Sequence, residues 1–293
     1  MGTRLWLRRL TPYAFLAPAV SVFAVAFFYP IFSSIRLSFY QYRFTDIVHG
    51  GTFVGWKNYI AIIQSPQFHT SLRVTAIFIG VTLAAELLIG FSLALLVEHK
   101  LKGLHIFRSI FLFPIMIAPV VVGVIWRYLF DPTYGILNYL LGLVGFEPIA
   151  WLSQPGTALT AVILTDIWQW TPFVFLLLLA GLQNISDEVI EASLVDGAGY
   201  FQRLFHIKLP LMKTIISLTI VLRLIDALRA LVVMYIMTSG GPGLSTEVLS
   251  LHIYKTAFSA HRLGQASTLA VFLILIMLAI TLVMLRFFRS ETT

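Results

Sequence analysis

Asp166, Gln169, Trp170 and Phe173 recur at i, i+3, i+4 and i+7 within the run LTDIWQWTPF. On a helix that spacing sets a carboxylate, an amide and two aromatic rings on one face. A carboxylate and an amide exchange hydrogen bonds with hydroxyl groups, and an indole offers a flat apolar surface to the face of a ring. The chemistry suited to such a face is recognition of a polyhydroxylated molecule. The same aromatics equally suit helix packing or a membrane interface, and the residues alone leave both readings open. Pro172 lacks an N–H, so it frees a backbone carbonyl and bends the helix at this depth. A second group is Arg223, Asp226 and Arg229 in RLIDALR, where the carboxylate lies three residues from each guanidinium. Either pairing neutralises a charge otherwise stranded, as a helix-orienting ion pair or as part of a site. Glu86 and Arg127 are lone charges in apolar surroundings and read as structural partners of residues on neighbouring helices or on a second subunit.

Other chemistries find no support. The chain has no cysteine, which excludes disulfides and thiolate metal sites, and its seven histidines are scattered, with no HExxH. No metal and no cofactor is expected. The cluster Thr238-Ser239-Gly240-Gly241-Pro242-Gly243 lacks the lysine of a phosphate-cradling loop, and no GxxxxGK[ST] occurs anywhere. No nucleophile–base pair suggests a membrane-bound enzyme.

The elements that position these residues follow from composition. Of 293 residues, 59% are hydrophobic and 11% charged, and the mean hydropathy is +0.91. Soluble domains carry about a quarter charged residues, so this is an all-α membrane protein. Stretches long enough to cross the hydrocarbon core, about 20 residues each, lie at roughly 12–37, 71–97, 106–130, 158–182, 211–237 and 265–287. They predict six transmembrane helices in a single domain over 1–293. The arginine-rich start is followed by an apolar run too long for a signal peptide and reads as an uncleaved first span. The net charge of +7 is distributed in a way that argues against nucleic acid. Arg4, Arg8, Arg9, Lys100, Lys102, Arg108, Arg203, Lys208, Lys213, Arg286 and Arg289 fall on one side of the six-span arrangement. The other side holds Arg43, Lys57, Lys255 and Arg262, with Arg36 and Arg73 near the membrane edge. The positive-inside rule then makes both termini cytoplasmic.

One polar stretch, residues 187–210, interrupts the apolar pattern. Asp187 and Glu188 open a short helix, where acidic side chains favour the positive helix end, and Asp196-Gly197 breaks it at a residue that tolerates φ > 0. A second short helix over Tyr200–Phe205 presents Phe201, Leu204 and Phe205 at helical spacing, and Pro210 marks the next span. Two amphipathic helices joined at a glycine form a knob suited to a groove on another protein; an interfacial helix lying on lipid is the alternative.

Within EASLVDGAGYFQRLFHIKLP, Glu191, Ala192, Gly197, Ile207, Leu209 and Pro210 stand at the offsets of the EAA loop of binding-protein-dependent ABC importer permeases, with Ser193 replacing the second alanine. The run TSGGPG...TE...IYKTAF after the fifth span, Gly55-Trp56-Lys57-Asn58-Tyr59, and the triplet TPF resemble the carbohydrate-type branch of that family, and with the span count the resemblance covers nearly the whole chain. It implies the type I ABC importer permease fold, alternating access, and residence in the cytoplasmic (inner) membrane of a bacterium or archaeon. It also implies two cytoplasmic ABC ATPase subunits, a second permease that is a different chain, an extracytoplasmic sugar-binding protein, and contact with membrane lipid. By resemblance, Glu191, Ala192, Ser193, Asp196, Gly197, Tyr200, Phe201, Leu204 and Phe205 couple to the ATPases. Asp166, Gln169, Trp170, Phe173, Arg223 and Asp226 line or border the substrate cavity. A secondary, ion-coupled carrier is the other reading, but such folds show internal repeats and broken helices, and no repeat relates the two halves.

Overall fold

The computed structural model describes residues 2–47, 50–98 and 109–289. The basic residues Lys100, Lys102 and Arg108 of the expected first cytoplasmic loop lie outside them. Helices dominate, as backbone in lipid requires. Two compact units are distinguished, residues 1–65 with 253–272, and residues 66–252 with 273–293.

In the first unit, α1 (Gly2–Ser38) carries an apolar segment, Phe15–Ser38, none of whose most apolar stretch is buried. A helix apolar all round and left uncovered is suited to lipid or a partner helix. A two-residue hairpin follows, β1 (Tyr40–Gln41) antiparallel to β2 (Thr52–Phe53), with Tyr40 opposite Phe53. Gly51 is required there, because a Cβ would stand 2.7 Å from the Gln41 carbonyl oxygen. The Gly-x-x-Asn-Tyr run now has a physical reason. Asn58, on α2 (Lys57–Ile63), donates to the Ser38 and Tyr40 carbonyls at 2.8 and 2.9 Å, and the Tyr59 hydroxyl meets Ser38 Oγ at 2.7 Å. The motif clamps the end of α1 to the hairpin.

The second unit is built on α3 (Pro66–Val97), α4 (Phe113–Met116), α5 (Pro119–Leu129), α6 (Ile136–Leu143), α7 (Pro155–Gln183), α8 (Asp187–Val195), α9 (Tyr200–Arg203), α10 (Leu209–Leu211), α11 (Lys213–Leu228) and α12 (Val232–Thr238). After α12 come α13 (Leu249–Tyr254) and α14 (Leu263–Arg289), whose residues are divided between the units. Helix α3 packs chiefly against α7. Ala94 and Val97 meet Val174, Phe175, Leu178, Leu179 and Leu182 there, and Met212 closes the cluster. Gly90 permits the approach, since a Cβ would lie 3.0 Å from the Phe175 backbone nitrogen.

Among the described residues, four helices are long and apolar enough to cross a membrane: Phe15–Ser38, Pro66–Val97, Pro155–Gln183 and Leu263–Met284. The expected third and fifth spans are not single helices. The stretch at 106–130 breaks at Ile117 and Ala118, which take extended ψ values of 132° and 136° immediately before Pro119. A residue preceding proline is driven from the helical region by the ring's Cδ. The stretch at 211–237 breaks between α11 and α12 at Arg229–Leu231, with Leu231 at φ −133° and ψ −50°. The glycine cluster after α12 is a turn, with Ser239, Gly240 and Gly243 at φ of 50°, 86° and 61°. Thr246 Oγ1 ties it through Thr238 Oγ1 at 2.6 Å and the Gly241 carbonyl at 3.0 Å, while buried Glu247 accepts from Gln67 at 2.7 Å and contacts His252 at 3.0 Å.

Candidate functional site

The break at Arg229–Leu231 opens beside the predicted face of α7. Phe78, Pro119, Val162, Asp166, Gln169, Trp170, Asp226, Arg229 and residues 230–234 line a cavity of about 120 Å³. Three of the four α7 residues singled out by spacing are thus in its wall. Phe173 is not among the lining residues; its ring stands edge-on to Trp170 at 6.1 Å and packs against the α3–α7 core. Pro172 is accommodated within an otherwise continuous helix.

Arg223 is the centre of the cavity's chemistry, although only 1% exposed and itself behind the wall. Its Nε and Nη2 donate to the two carboxylate oxygens of Glu86 at 2.7 and 2.9 Å, a bidentate pairing. Nη2 also pairs with Asp166, and Nη1 donates to half-exposed Asp226 at 3.2 Å. The guanidinium lies 5.0 Å from the Trp170 ring centroid, within cation–π range. Sequence spacing suggested Asp226 as the arginine's partner. The tighter, better buried partner is Glu86, 137 residues away on α3. Three carboxylates therefore share one guanidinium, and Arg229 is close enough to Asp226 to act on its charge. Arg229 and the broken backbone beside it were not among the predicted substrate residues; the signal available was the second arginine of RLIDALR. Arg127, by contrast, donates to the Ile236 carbonyl at 3.3 Å, which anchors α12 to α5.

Gln169 has an unusual position. It is 2% exposed, its Nε2 reaches the carbonyl of Ile117 at the break in the third span at 3.4 Å, and its Oε1 is buried without a hydrogen-bond partner. A buried acceptor left unsatisfied costs about 1–3 kcal/mol, so a donor arriving in the cavity relieves it.

The polar stretch after α7 takes the predicted form with one change. Asp187 and Glu188 occupy the first turn of α8, and Gly197 adopts φ 76° between α8 and α9. Nothing lies within 4 Å of where its Cβ would be, so conformation alone demands glycine. Gln202 Oε1 accepts from the Gly199 N–H at 2.8 Å and caps α9. The second helix keeps regular α-geometry only to Arg203, then passes through a π-helical turn at Leu204–Lys208 into α10. The wider turn carries Lys208 to Glu98 at the end of α3, where the two form an ion pair. Leu204 and Ser193 are buried, while Leu194, Val195, Tyr200, Phe201 and Phe205 are exposed; Glu191, Ala192 and Asp196 are exposed beside them. The knob thus has an inward Leu204 and an outward apolar face.

Comparison with known proteins agrees with this architecture. Residues 86–290 match the family described as binding-protein-dependent transport system inner membrane component. The chain is 34% identical to the trehalose/maltose transport system permease protein MalF of Thermococcus litoralis over 277 residues, 94% of this chain and 92% of that one. It is 35% identical to the sulfoquinovosyl glycerol transport system permease protein SmoG of Agrobacterium fabrum, covering 97% and 92%. The fold is shared with a bacterial alginate ABC transporter solved in complex with alginate pentasaccharide-bound periplasmic protein, at a TM-score of 0.80 and 23% identity over 96% of each chain. ATP hydrolysis lies with separate ATPase subunits in this family, and a binding protein and ATPases are its partners. The matched profile, the near-full-length relatives and the type I importer fold together show that this chain belongs to the binding-protein-dependent inner membrane components, as a multi-pass permease subunit of an ABC importer.

Proposed function

We propose that the chain is one of two permease subunits of a carbohydrate importer, takes a sugar or polyol from a binding protein, and passes it inward by alternating access driven by two cytoplasmic ATPases. The observation that carries the reading is the cavity beside Asp166, Gln169, Trp170 and Asp226. It supplies hydrogen-bond acceptors, an indole and an acceptor that lacks a donor, the complement of a hydroxylated ring. The sugar and glycerol-linked substrates named for the relatives agree with that chemistry. The cavity is walled on one side by this chain, and in this reading the site is completed by a second permease, a different chain. In this reading six spans cross the membrane, the third and fifth as broken helices, with both termini and the Glu191 loop cytoplasmic. Glu191, Ala192, Asp196, Gly197, Tyr200, Phe201 and Phe205 form the ATPase contact, with buried Ser193 and Leu204 supporting it from within. Asp166, Gln169, Trp170 and Asp226 form one wall of the substrate path, with Arg223 behind it holding the carboxylates and Phe173 supporting Trp170.

The test is uptake by the assembled importer against sugar concentration. Trp170→Ala is expected to raise the half-saturating concentration several-fold with basal ATP hydrolysis intact. An unchanged half-saturation and rate would move the site elsewhere, and transport by the purified chain without ATPases would replace the reading with an ion-coupled carrier.

A further inference from the structure

A second cleft, within the first unit, is lined by Arg43, Lys57 and Arg262 together with Gln41, Tyr42, Asn58 and Gln265, and has a volume of about 340 Å³. No carboxylate lines it. Asp46, the acidic residue nearest in sequence to Arg43, is engaged by the Arg43 backbone N–H at 2.9 Å and by Thr45 Oγ1 at 3.3 Å. The chain has few basic residues outside its one strongly basic side, and three of them converge here from separate segments. Like charges gathered in one concavity repel one another, and an anion in the cleft turns that cost into binding.

The frame that holds the three cations is rigid. Asn58, adjacent to Lys57, is clamped to the carbonyls of Ser38 and Tyr40. The Gly264 N–H donates to the Tyr42 carbonyl at 3.1 Å, and a Cβ on Gly264 would fall 2.0 Å from the Tyr40 carbonyl oxygen, so only glycine lets the start of α14 lie this close to the hairpin. The Arg262 N–H donates to the Thr256 carbonyl at 3.0 Å. The backbone that carries the three cations is thus held in place, and their exposed side chains reach the mouth of the cleft.

The depth of the cleft selects the ligand. The apolar segment of α1 ends at Ser38 and that of α14 begins at Leu263. Both ends are tied together here, Thr268 Oγ1 donating to the Ser38 carbonyl at 3.2 Å. The cleft therefore sits where spans leave the hydrocarbon. Beside it, Phe53 and Trp56 are 69% and 66% exposed, and Ile60 and Ile63, one turn apart on α2, turn outward while Asn58 and Ile62 turn in. Aromatic rings and an aliphatic strip at this level suit headgroup and acyl-chain contact.

We propose that the cleft of Arg43, Lys57 and Arg262 binds the phosphate of an anionic phospholipid, with an acyl chain along Ile60 and Ile63. The same phosphate chemistry is available from free phosphate, and the experiment separates the two. The assembled importer, wild type and Arg43→Gln/Lys57→Gln/Arg262→Gln, is stripped of lipid in mild detergent. It is then titrated with phosphatidylglycerol, phosphatidylcholine of matched chains, or inorganic phosphate, and bound species are counted by native mass spectrometry. Wild type is expected to prefer phosphatidylglycerol by on the order of tenfold or more, as cations at a membrane surface attract anionic lipid, and the triple variant to lose that preference. The single variants Lys57→Gln and Arg262→Gln are expected to lose part of it, which keeps the test decisive if the triple variant fails to assemble. Equal phosphatidylglycerol retention in wild type and variants overturns the proposal. So does occupancy by inorganic phosphate that displaces the lipid, or a variant whose sole defect is weaker capture of the binding protein.

Discussion

The polar loop around Gly197 and the ion cluster around Arg223 belong to the same unit, yet they are built on opposite terms. The loop is assembled from residues within one short stretch and leaves its apolar side chains in the open. The cluster draws Glu86, Asp166 and Arg223 from three helices, with Asp226 from the arginine's own helix, and hides the charge. The loop depends on backbone conformation at a single residue; the cluster depends on charge balance across the bundle. The exposed knob follows local rules, whereas a buried charge obliges distant segments to agree.

The largest expected effect tests that obligation. Arg223→Leu strands Glu86 and Asp166 in the bundle, at a cost of about 3–5 kcal/mol, and should remove the folded permease from the membrane fraction. Replacing the cluster together, as Glu86→Gln/Asp166→Asn/Arg223→Met, should restore membrane level measured by immunoblot. Recovery of uptake as well would make the cluster purely structural; recovery of level without uptake would tie it to the cavity. A smaller effect is expected in the loop. Gly197→Val should lower uptake by about tenfold at unchanged membrane level, because a β-branched residue is strained at φ > 0, while Gly197→Asn, which tolerates that region, should stay near wild type. If the two substitutions behave alike, conformation is not what the position supplies. Phe201→Ala, which removes one exposed contact without touching the backbone, is expected to weaken retention of the ATPase by roughly 1–3 kcal/mol in a pull-down titration.

The smallest effect belongs to neither region and serves as a control. Asp131 accepts from the Thr133 N–H at 2.8 Å and the Tyr134 N–H at 3.2 Å, and these bonds, the Thr133 one foremost, hold its carboxyl below the ordinary carboxylate range. A depressed value means the turn is held above the ordinary pKa and released as pH falls through the lowered one. Amide exchange at Thr133 and Tyr134 should quicken in acid and in Asp131→Ala, with uptake unchanged.

How much was legible in the sequence follows the same division. Gly197, the acidic first turn of α8 and the apolar helix faces could be read from neighbours a few residues apart. So could the α7 face, because a helical period places Asp166, Gln169 and Trp170 together wherever the helix sits. The partner of Arg223 could not, since spacing within RLIDALR exposes only Asp226 as a candidate, and Glu86 looked like an isolated charge seeking an unnamed neighbour. The helix breaks were half legible. Pro119 stands in the sequence as a reason for the bend at Ile117 and Ala118, but nothing in RLIDALR marks the break at Arg229–Leu231, where Ser250 Oγ, twenty residues on, donates to the Ala230 carbonyl. The π-turn was missed because Leu204–Lys208 has ordinary helix formers, and the extra residue is absorbed where Lys208 reaches Glu98.

The uncovered face of the loop has a consequence for the life of the chain before assembly. Leu194, Val195, Tyr200, Phe201 and Phe205 are exposed in the chain by itself. An apolar surface of that kind is what chaperones hold and quality-control proteases seize, so a permease made in excess of its ATPase is expected to be short-lived. On the proposed ATPase contact its abundance is expected to follow the supply of that subunit, and a pulse-chase with and without it should show the half-life lengthen when the two are made together.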